Sequence, residues 1–263
     1  MKKTLMTLAL AAVLALSLGT LAGCSSSSKS SSNDLGLVNE GKLTIVTSPD
    51  YPPFENLNDS GEAEGFEIAL AKAVAEKMGL ELKVETMQFD GIITAVSAGG
   101  KYDMGISGFS VTPERAEQIN FTDSYYVDDL SCAVLKSSSI TSDNCDAELN
   151  KAGVVIAVQS GTTGEAYAQE NYPNATIKAY GNSNDCFAAL NAGQANAALT
   201  NAAVVESMLS SYTDATVVKS VATGEEYAAA INKDNAALLE AVNKALKELK
   251  DDGTIEKLMK EWM

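Results

Sequence analysis

The feature that most constrains the fold is an alternation of short β-branched segments with helical patterns, which begins at Lys42. Such alternation is typical of βαβ units and predicts a mostly parallel sheet flanked by helices. The pattern pauses after residue 135 and restarts at 154, so the sequence predicts two α/β units. Two amphipathic helices at the end of the chain are expected to pack back on the first unit. A chain that returns in this way crosses between the units more than once, which is how a hinge is built.

The individual segments follow from two periodicities, alternation for strands and about 3.6 residues for helices. Strands are predicted at 43–47, 82–86, 102–106, 130–135, 154–158, 176–180 and 195–199. Helices are predicted at 66–78, 89–98, from 162 onward, and at 186–191, 235–250 and 254–262. Gly79 is the expected C-cap of the first helix.

Residues 1–23 have the features of an export signal rather than of a folded segment. Lys2 and Lys3 form a positive start, and the apolar stretch 5–18 is too short to span a bilayer comfortably. The segment Leu21-Ala22-Gly23-Cys24 then resembles a bacterial lipobox, in which cleavage leaves the cysteine at the new N-terminus with a diacylglyceryl group on its sulfur. The alternative is a plain secretory signal that ends near a cysteine.

The lipobox interpretation makes Cys24 the lipidation site and assigns residues 24–39 to a lipid anchor and a serine-rich tether. Two or more acyl chains anchor a protein stably, and a serine-rich segment behaves as a flexible polar linker. We therefore expect the folded part to be tied by its lipid to the outer face of a bacterial cell membrane. No further apolar run in the sequence is long enough for a transmembrane helix.

The charge of the chain limits its partners. The formal net charge is −16, and removal of Lys2 and Lys3 with the export signal makes the mature chain more acidic still. Such a chain is not expected to bind nucleic acid or anionic lipid. Histidine is absent and no CxxC pair occurs, so no metal site and no cofactor are predicted. Cys132 and Cys145 would form a disulfide across a short loop or, like Cys186, remain buried free thiols, and the sequence leaves both open.

Arg115 is the single arginine among 19 basic residues, all the others being lysine. A guanidinium is a planar fork that binds a carboxylate or phosphate with two parallel hydrogen bonds, and lysine cannot reproduce it. Thr112 and Pro113 predict a helix start, which puts Arg115 in a first helical turn, close to free backbone N–H groups. The alternatives are a surface arginine paired with Glu114 or Glu117, and a chance choice of residue type.

Six motifs occur in order along the chain and together carry a family resemblance. They are Asp50-Tyr51-Pro52-Pro53-Phe54-Glu55, Gly65-Phe66-Glu67-Ile68-Ala69-Leu70-Ala71, Gly99-Gly100-Lys101-Tyr102-Asp103, Ser110-Val111-Thr112-Pro113-Glu114-Arg115-Ala116, Phe121-Thr122-Asp123-Ser124-Tyr125-Tyr126 and Gln159-Ser160-Gly161-Thr162-Thr163-Gly164. Behind a lipobox and without catalytic motifs, this set resembles the bacterial extracellular solute-binding proteins of family 3, which bind polar amino acids. The resemblance covers nearly the whole mature chain, from about 42 to 262.

The resemblance implies a two-lobed α/β fold of the periplasmic-binding-protein (venus flytrap) type, each lobe a mixed, mostly parallel sheet flanked by helices. Lobe 1 would comprise 40–128 and 226–263 and lobe 2 133–221, with a two-stranded hinge near 129–132 and 222–227. Proteins of this family close their cleft over one amino acid and deliver it to the permease of an ABC importer. The expected protein is a monomer that binds a small molecule and catalyses no reaction.

The resemblance also implies which residues bind the ligand. Arg115, Ser110 and Thr163 match the positions that hold the α-carboxylate, the first two from lobe 1 and Thr163 from lobe 2. Thr162 and Gln159 belong to the same strand-to-helix turn as Thr163 and are included in the expected site. The threonines have an ordinary alternative role as helix caps.

Other matching positions would contact the rest of the ligand. Tyr51 and Phe89 match aromatic positions that line the pocket, where a ring face also attracts an ammonium by about 0.5–2 kcal/mol. Ser107 and Gly108 match positions whose hydroxyl and backbone carbonyl reach the α-amino group. The glycine removes a hydroxyl that is often found at position 108.

Asn201 is the largest departure from the family pattern, because an aspartate usually stands there and pairs with the ligand's ammonium. Hydrogen bonds to charged groups contribute about 1.5–3 kcal/mol against about 1 kcal/mol for neutral ones, so asparagine would weaken ammonium capture about tenfold or more. Three explanations are open: Asn201 accepts through its amide oxygen, Asp50 or Asp185 compensates, or the ligand lacks an ordinary α-ammonium. Ser48 stands where binders of lysine or arginine often carry an acid, so a neutral ligand is expected.

Two other functions are compatible with this fold. A cyclohexadienyl-dehydratase-like enzyme would need a general acid near Arg115, for which Glu165 and Asp185 are candidates by position only. A sensor would present its closed form to a membrane receptor instead of a transporter, with a site that looks identical in sequence.

Overall fold

The structure is a computed structural model, and it describes residues 35–263. The predicted export signal, the lipidation site Cys24 and the tether up to residue 34 lie outside the described residues.

The strands are β1 (Lys42–Thr47), β2 (Asp50–Tyr51), β3 (Glu55–Leu57), β4 (Ala63–Glu64), β5 (Glu81–Thr86), β6 (Met104–Gly105), β7 (Ile119–Phe121), β8 (Tyr126–Leu135), β9 (Val155–Gln159), β10 (Thr176–Tyr180), β11 (Ala197–Asn201), β12 (Ala215–Tyr227) and β13 (Ala230–Asn232). The helices are α1 (Phe66–Lys77), α2 (Phe89–Ala98), α3 (Pro113–Ala116), α4 (Cys145–Leu149), α5 (Thr163–Asn171), α6 (Ser183–Asn191), α7 (Ala202–Ser211), α8 (Ala236–Asp251) and α9 (Thr254–Trp262).

Two five-stranded sheets organise the described chain, each the centre of one lobe, so the expected two-lobed α/β architecture is confirmed. The first sheet has the order β5-β1-β6-β13-β7, in which β1 is parallel to β5 and β6 while β13 is antiparallel to β6 and β7. The second has the order β10-β9-β11-β8-β12, with β9 parallel to β10 and β11. Both sheets are therefore mixed, because each combines crossover units with a strand that returns from elsewhere in the chain.

The C-terminal helices complete the first lobe, as the amphipathic pattern predicts. Helix α8 buries one face, formed by Leu238, Val242, Ala245, Leu246 and Leu249 at spacings of three and four residues. Its start is capped by the Asn235 side chain, which accepts a hydrogen bond from the backbone N–H of Leu238. Helix α1 contacts both α8 and α9, and so the tail covers the face of the lobe in which the chain began.

A long antiparallel ribbon of β8 and β12 connects the two lobes. Its pairing runs from Ala215 opposite Leu135 to Tyr227 opposite Tyr126, and the register shifts between Val221 and Glu225. At the first-lobe end, the rings of Tyr126 and Tyr227 both pack against Phe54, with centroids 5.1 Å away. Beyond Tyr227 the chain enters β13 of the first sheet, so the ribbon carries the chain between lobes in both directions.

Several predicted segment boundaries are wrong, among them the start of β8, which is Tyr126 and not residue 130. The strand predicted at 195–199 is β11, which extends to Asn201 because Asn201 pairs with Leu130. The helix predicted at 186–191 begins at Ser183, because the side chain of Asn182 caps it by accepting from the N–H of Asp185. The strand predicted at 102–106 contains only the two residues of β6, since pairing with β1 is limited to them.

The three cysteines of the described chain are free and buried, so the structure shows no disulfide between Cys132 and Cys145. Burial raises the pKa of Cys132 to about 12 and, with help from nearby acids, that of Cys186 to about 12, which keeps both thiols protonated and unreactive. Within residues 35–263, no group of three or more His, Cys, Asp or Glu side chains is placed to hold a metal ion. The same part of the chain contains no helix with the length and apolarity needed to cross a membrane.

Asp128 in the ribbon should make the stability of the protein depend on pH. Asp128 is 8% exposed as a residue, and its carboxylate accepts hydrogen bonds from the N–H groups of Asp129 and Ala203, while burial raises its pKa from 3.8 to about 6. Because the folded-state pKa is the higher one, the stabilising contribution of the protonated form is complete below about pH 4 and is lost as pH rises through about 6. We expect Asp128→Asn to raise the free energy of unfolding by about 1–3 kcal/mol at pH 7.5 and to change it little at pH 4.5.

Urea denaturation of both proteins at the two pH values measures this difference. The exposed Asp123→Asn variant controls for the loss of one negative charge. An equal effect of Asp128→Asn at both pH values would contradict the assignment, because it would point to altered packing in place of titration.

Candidate functional site

The cleft lies where the carboxyl ends of parallel strands from the two sheets meet. Asp50, just after β1, accepts hydrogen bonds from Gln159 Nε2 at the end of β9 (3.0 Å) and from the N–H of Ser183 (2.7 Å). The crevice outside the carboxyl ends of such strands is where α/β proteins usually bind ligands. The described structure is therefore a closed arrangement, in which side chains from one lobe contact the other directly.

Arg115 is positioned by a short helix and reaches across this cleft. Thr112 caps α3 by accepting from the N–H of Arg115, with Pro113 at the first helical position, as the sequence predicts. The guanidinium donates from Nη1 to the carbonyl oxygen of Ser110 (2.8 Å) and from Nη2 to that of Gly161 in the second lobe (3.0 Å). A guanidinium carries five N–H groups, so these two bonds leave donors for another acceptor.

The guanidinium packs against two aromatic rings. Arg115 Cζ lies 5.4 Å from the ring centroid of Phe89 and 5.7 Å from that of Phe109, and the two rings stack on each other. Burial lowers the pKa of Arg115 from its ordinary value. Among residues 35–263, no ion pair includes this arginine, which removes the alternative of a surface pairing with Glu114 or Glu117.

Four expected site residues converge in the cleft next to Arg115, and a fifth residue, Glu225, joins them. Glu225 Oε2 accepts hydrogen bonds from the Ser110 hydroxyl, from Thr163 Oγ1 (2.8 Å) and from Asn201 Nδ2 (3.1 Å). The Tyr51 hydroxyl donates to Asn201 Oδ1 (2.5 Å). Ser110 and Tyr51 belong to the first lobe and Thr163 and Asn201 to the second, so this polar cluster spans the cleft.

The sequence does not predict Glu225 as a site residue, although the predicted hinge segment 222–227 contains it. It enters the cleft where the register of β12 shifts after Val221, an irregularity that re-aims side chains along a strand. The N–H of Val111 donates to the carbonyl oxygen of Glu226, and Ser110 forms an isolated bridge with Tyr227, so the Ser110 loop lies directly beside this part of β12. No local sequence pattern marks such a position.

The family model described as "Bacterial extracellular solute-binding proteins, family 3" matches residues 43–263. The chain belongs to this family. It is 32% identical to the ABC transporter arginine-binding protein 1 of Escherichia coli (strain K12), over 84% of this chain and 90% of that protein. It is 30% identical to the ABC transporter glutamine-binding protein GlnH of Bacillus subtilis (strain 168), over 99% of this chain and 97% of that protein.

A solved structure extends the comparison to the fold. The ancestral amino acid-binding protein AncCDT-1, described as a precursor of cyclohexadienyl dehydratase, is 36% identical and superimposes with a TM-score of 0.78, covering 84% of this chain and 95% of that one. The relatives thus include proteins named for a basic and for a neutral amino acid, together with an ancestor of an enzyme. Membership of the family shows a solute-binding protein, and the named relatives differ in the amino acid that they bind.

In this solute-binding protein, the Ser107 hydroxyl and the Gly108 N–H bond to buried acids of the first lobe, and the role of the Gly108 carbonyl stays a prediction. Ser107 Oγ donates to Glu55 Oε1 (2.9 Å) and accepts from the N–H of Ser48. The N–H of Gly108 donates to the Glu67 carboxylate (2.9 Å), and a Cβ atom at Gly108 would lie 2.9 Å from the Tyr51 ring. Glycine is therefore required at 108 both by its left-handed φ of 56° and by the close approach of Tyr51.

Glu55 and Glu67 form a buried acidic pair beneath the Ser107–Gly108 loop. Burial raises the pKa of both carboxyls, and the charge of Glu67 raises that of Glu55 further. The Tyr125 hydroxyl donates to Glu67 Oε1 (2.6 Å), which adds a second donor to this carboxylate besides the Gly108 N–H. Through these hydrogen bonds the acidic pair holds the Ser107–Gly108 loop in place.

The remaining expected residues line the rim. Thr162 caps α5, accepting from the N–H of Glu165 and donating to the carbonyl oxygen of Gln159 (2.8 Å). A pocket of about 270 Å³ opens beside Arg115. Its lining comprises residues of both lobes: Phe89, Asp90, Ile93, Thr94, Thr112, Glu114, Arg115, Gln118, Gly161, Thr162, Thr163 and Ala166.

The acids considered as substitutes or as general acids are engaged in other contacts. Asp50 bonds Gln159 and Ser183 across the cleft, and burial raises its pKa. Asp185 is exposed and accepts from Asn182 at the start of α6. Glu165 accepts from the N–H of Gly161 (2.8 Å) and from Gln169 Nε2. Each of these three carboxylates thus has a structural partner.

Proposed function

We propose that this protein captures a single free amino acid between its lobes and delivers it to the permease of an ABC importer. The observation that carries the proposal is the convergence of Arg115, Ser110, Thr163 and Asn201 from both lobes on one small volume. A carboxylate in that volume would accept from the unused donors of Arg115, whose guanidinium already bonds both lobes, and would so hold the lobes together. Because a ligand that touches both lobes binds the closed form better than the open one, it shifts the population toward closed.

The course of the β8–β12 ribbon indicates which segments form the two lobes and which form the hinge. We assign lobe 1 to 40–128 and 226–263, lobe 2 to 133–221, and the hinge to 129–132 and 222–227, where β8 and β12 cross between the sheets. Cys24 would carry the lipid that holds this receptor at the outer face of the membrane, with the serine-rich segment as its tether. The receptor would act as a monomer.

For the ligand we propose a neutral amino acid with a polar or modestly apolar side chain. Ser48, at the position where an acid would serve a basic ligand, is buried and donates its hydroxyl to Asp50 (2.6 Å). A lysine or arginine side chain would therefore meet no acid at that position. Arginine, for which the Escherichia coli relative is named, should also be tested as a ligand. The pocket beside Arg115 includes Asp90 and Glu114, whose carboxylates would attract a basic side chain.

A thermal-shift screen against the standard L-amino acids tests the proposed function. The protein, refolded from denaturant to remove any carried ligand, should melt at a higher temperature with at least one of them. At a concentration one hundred times the Kd, the ligand stabilises by about 2.7 kcal/mol, which for a protein of this size is about 5–10 °C. A protein for which no amino acid shifts the melt would not be an amino-acid receptor.

A further inference from the structure

Two opposite charges stand in the cleft without being paired to each other. Arg115 directs its two Nη donors to the carbonyl oxygens of Ser110 and Gly161. Glu225 receives its hydrogen bonds from neutral groups only. Within the described residues, neither side chain takes part in an ion pair. Arg115 bonds the carbonyl oxygen of Ser110 and Glu225 bonds the hydroxyl of Ser110, so the two charges lie on either side of this residue.

The Glu225 carboxylate is held in place but not saturated. All of its hydrogen bonds among residues 35–263 reach Oε2, which leaves Oε1 as a free acceptor. Asn201 is itself oriented by the Tyr51 hydroxyl, which donates to the amide oxygen and so turns the amide nitrogen toward Glu225. The side chain is partly buried, where an unpaired carboxylate attracts a cation more strongly than it would in open solvent.

We propose that Glu225 is the anionic partner of the ligand's ammonium group, and that with Arg115 it makes the cleft selective for zwitterionic amino acids. The inference rests on the proposed function, and it assigns the ammonium to a residue of the crossover strand β12. Asn201 then acts as a neutral support that keeps Glu225 in position. Because Glu225 lies in the ribbon, the ammonium would contact the segment that bends when the lobes close.

The test compares Glu225→Gln with the wild-type protein by isothermal titration calorimetry. The probes are the L-amino acid that gives the largest shift in the screen and the 2-hydroxy acid with the same side chain, which lacks the ammonium. We expect the Kd for the amino acid to rise about 10- to 100-fold in the variant, while the Kd for the hydroxy acid changes less than about threefold. Glu226→Gln, an exposed neighbour on the same strand, should leave both values unchanged.

A charge-relocation variant separates a lost charge from a damaged fold. In the double variant Glu225→Gln with Asn201→Asp, the negative charge moves to the adjacent side chain, and we expect affinity for the amino acid to recover at least in part. Circular dichroism melts of all variants check that they fold.

Each other outcome overturns the proposal. If Glu225→Gln tightens binding of both probes, the Glu225 carboxylate competes with the ligand for the Ser110 and Thr163 hydroxyls. If both probes weaken equally, Glu225 has a structural role, and if neither changes, it has none in binding. If the wild-type protein itself binds no amino acid, the proposed function fails as well, and that result is distinct from the other three.

Discussion

Replacement of Arg115 by alanine is expected to abolish amino-acid binding while the fold persists. The side chain provides charged N–H donors, and two charge-assisted hydrogen bonds of about 1.5–3 kcal/mol each correspond to a loss of affinity on the order of 10²- to 10⁴-fold. Its present bonds to Ser110 and Gly161 already hold the fork in the cleft, so little ordering is needed when a carboxylate arrives. Titration calorimetry with the amino acid found by the screen measures the change.

Two variants make the Arg115 result specific. Arg115→Lys keeps the charge but removes the planar fork, and we expect it to remain at least about tenfold weaker than the wild type. Lys101→Ala is the matched control, because Lys101 also packs over an aromatic ring, that of Tyr102 at 5.0 Å, and lies outside the rim pocket. Wild-type affinity in Arg115→Ala would remove the arginine from the site.

Replacement of Gly65 by alanine should cause the largest loss of stability, roughly 3–5 kcal/mol. Gly65 precedes α1 with φ 127° and ψ 179°, a conformation that is essentially restricted to glycine. A Cβ atom there would lie 2.3 Å from the carbonyl oxygen of Phe54 and 2.9 Å from the Cα atom of Glu55, so the backbone itself must move. That movement would break the hydrogen bond from the Glu67 N–H to the Phe54 carbonyl oxygen (2.9 Å) and disturb the acidic pair beneath the cleft.

The control variant Gly61→Ala measures the cost of placing alanine at a positive φ without any steric clash of the new Cβ atom. Gly61 has φ 77°, but a Cβ atom at that position would have no neighbour within 4 Å. We expect about 1 kcal/mol for this control, and urea denaturation gives the free energy of unfolding for both variants. Equal losses at the two glycines would show that backbone conformation alone explains the effect.

Much of the architecture could be predicted because periodicity and capping are local. Helix α2 has the predicted bounds, Phe89–Ala98, and β10 has the predicted bounds, Thr176–Tyr180. Thr112 and Pro113 predict the helix start that places Arg115, because a cap and a first-turn proline act on their own segment. Signals of this kind can be read from the sequence because they depend on only a few neighbouring residues.

The parts that the sequence did not predict depend on contacts between distant segments. The direction of the Ser107 hydroxyl follows from Glu55, which is 52 residues away along the chain. The position of Glu225 follows from a register shift between β12 and β8, and that shift has no counterpart in the pattern of residues along β12. Neither the periodicity nor the family motifs contain this information, since both describe one segment at a time.

The hydrogen bonds of Asp50 to Gln159 and Ser183 join the lobes without any help from a bound solute. Such bonds lower the free energy of the closed form of every protein molecule, with or without ligand. They therefore set a minimum fraction of molecules that are closed. An importer that docks shut receptors would then encounter some that carry no cargo. In the proposed role, the strength of the Asp50 contacts would therefore affect two properties of uptake: how tightly scarce solute is captured, and how much ATP is hydrolysed per molecule delivered.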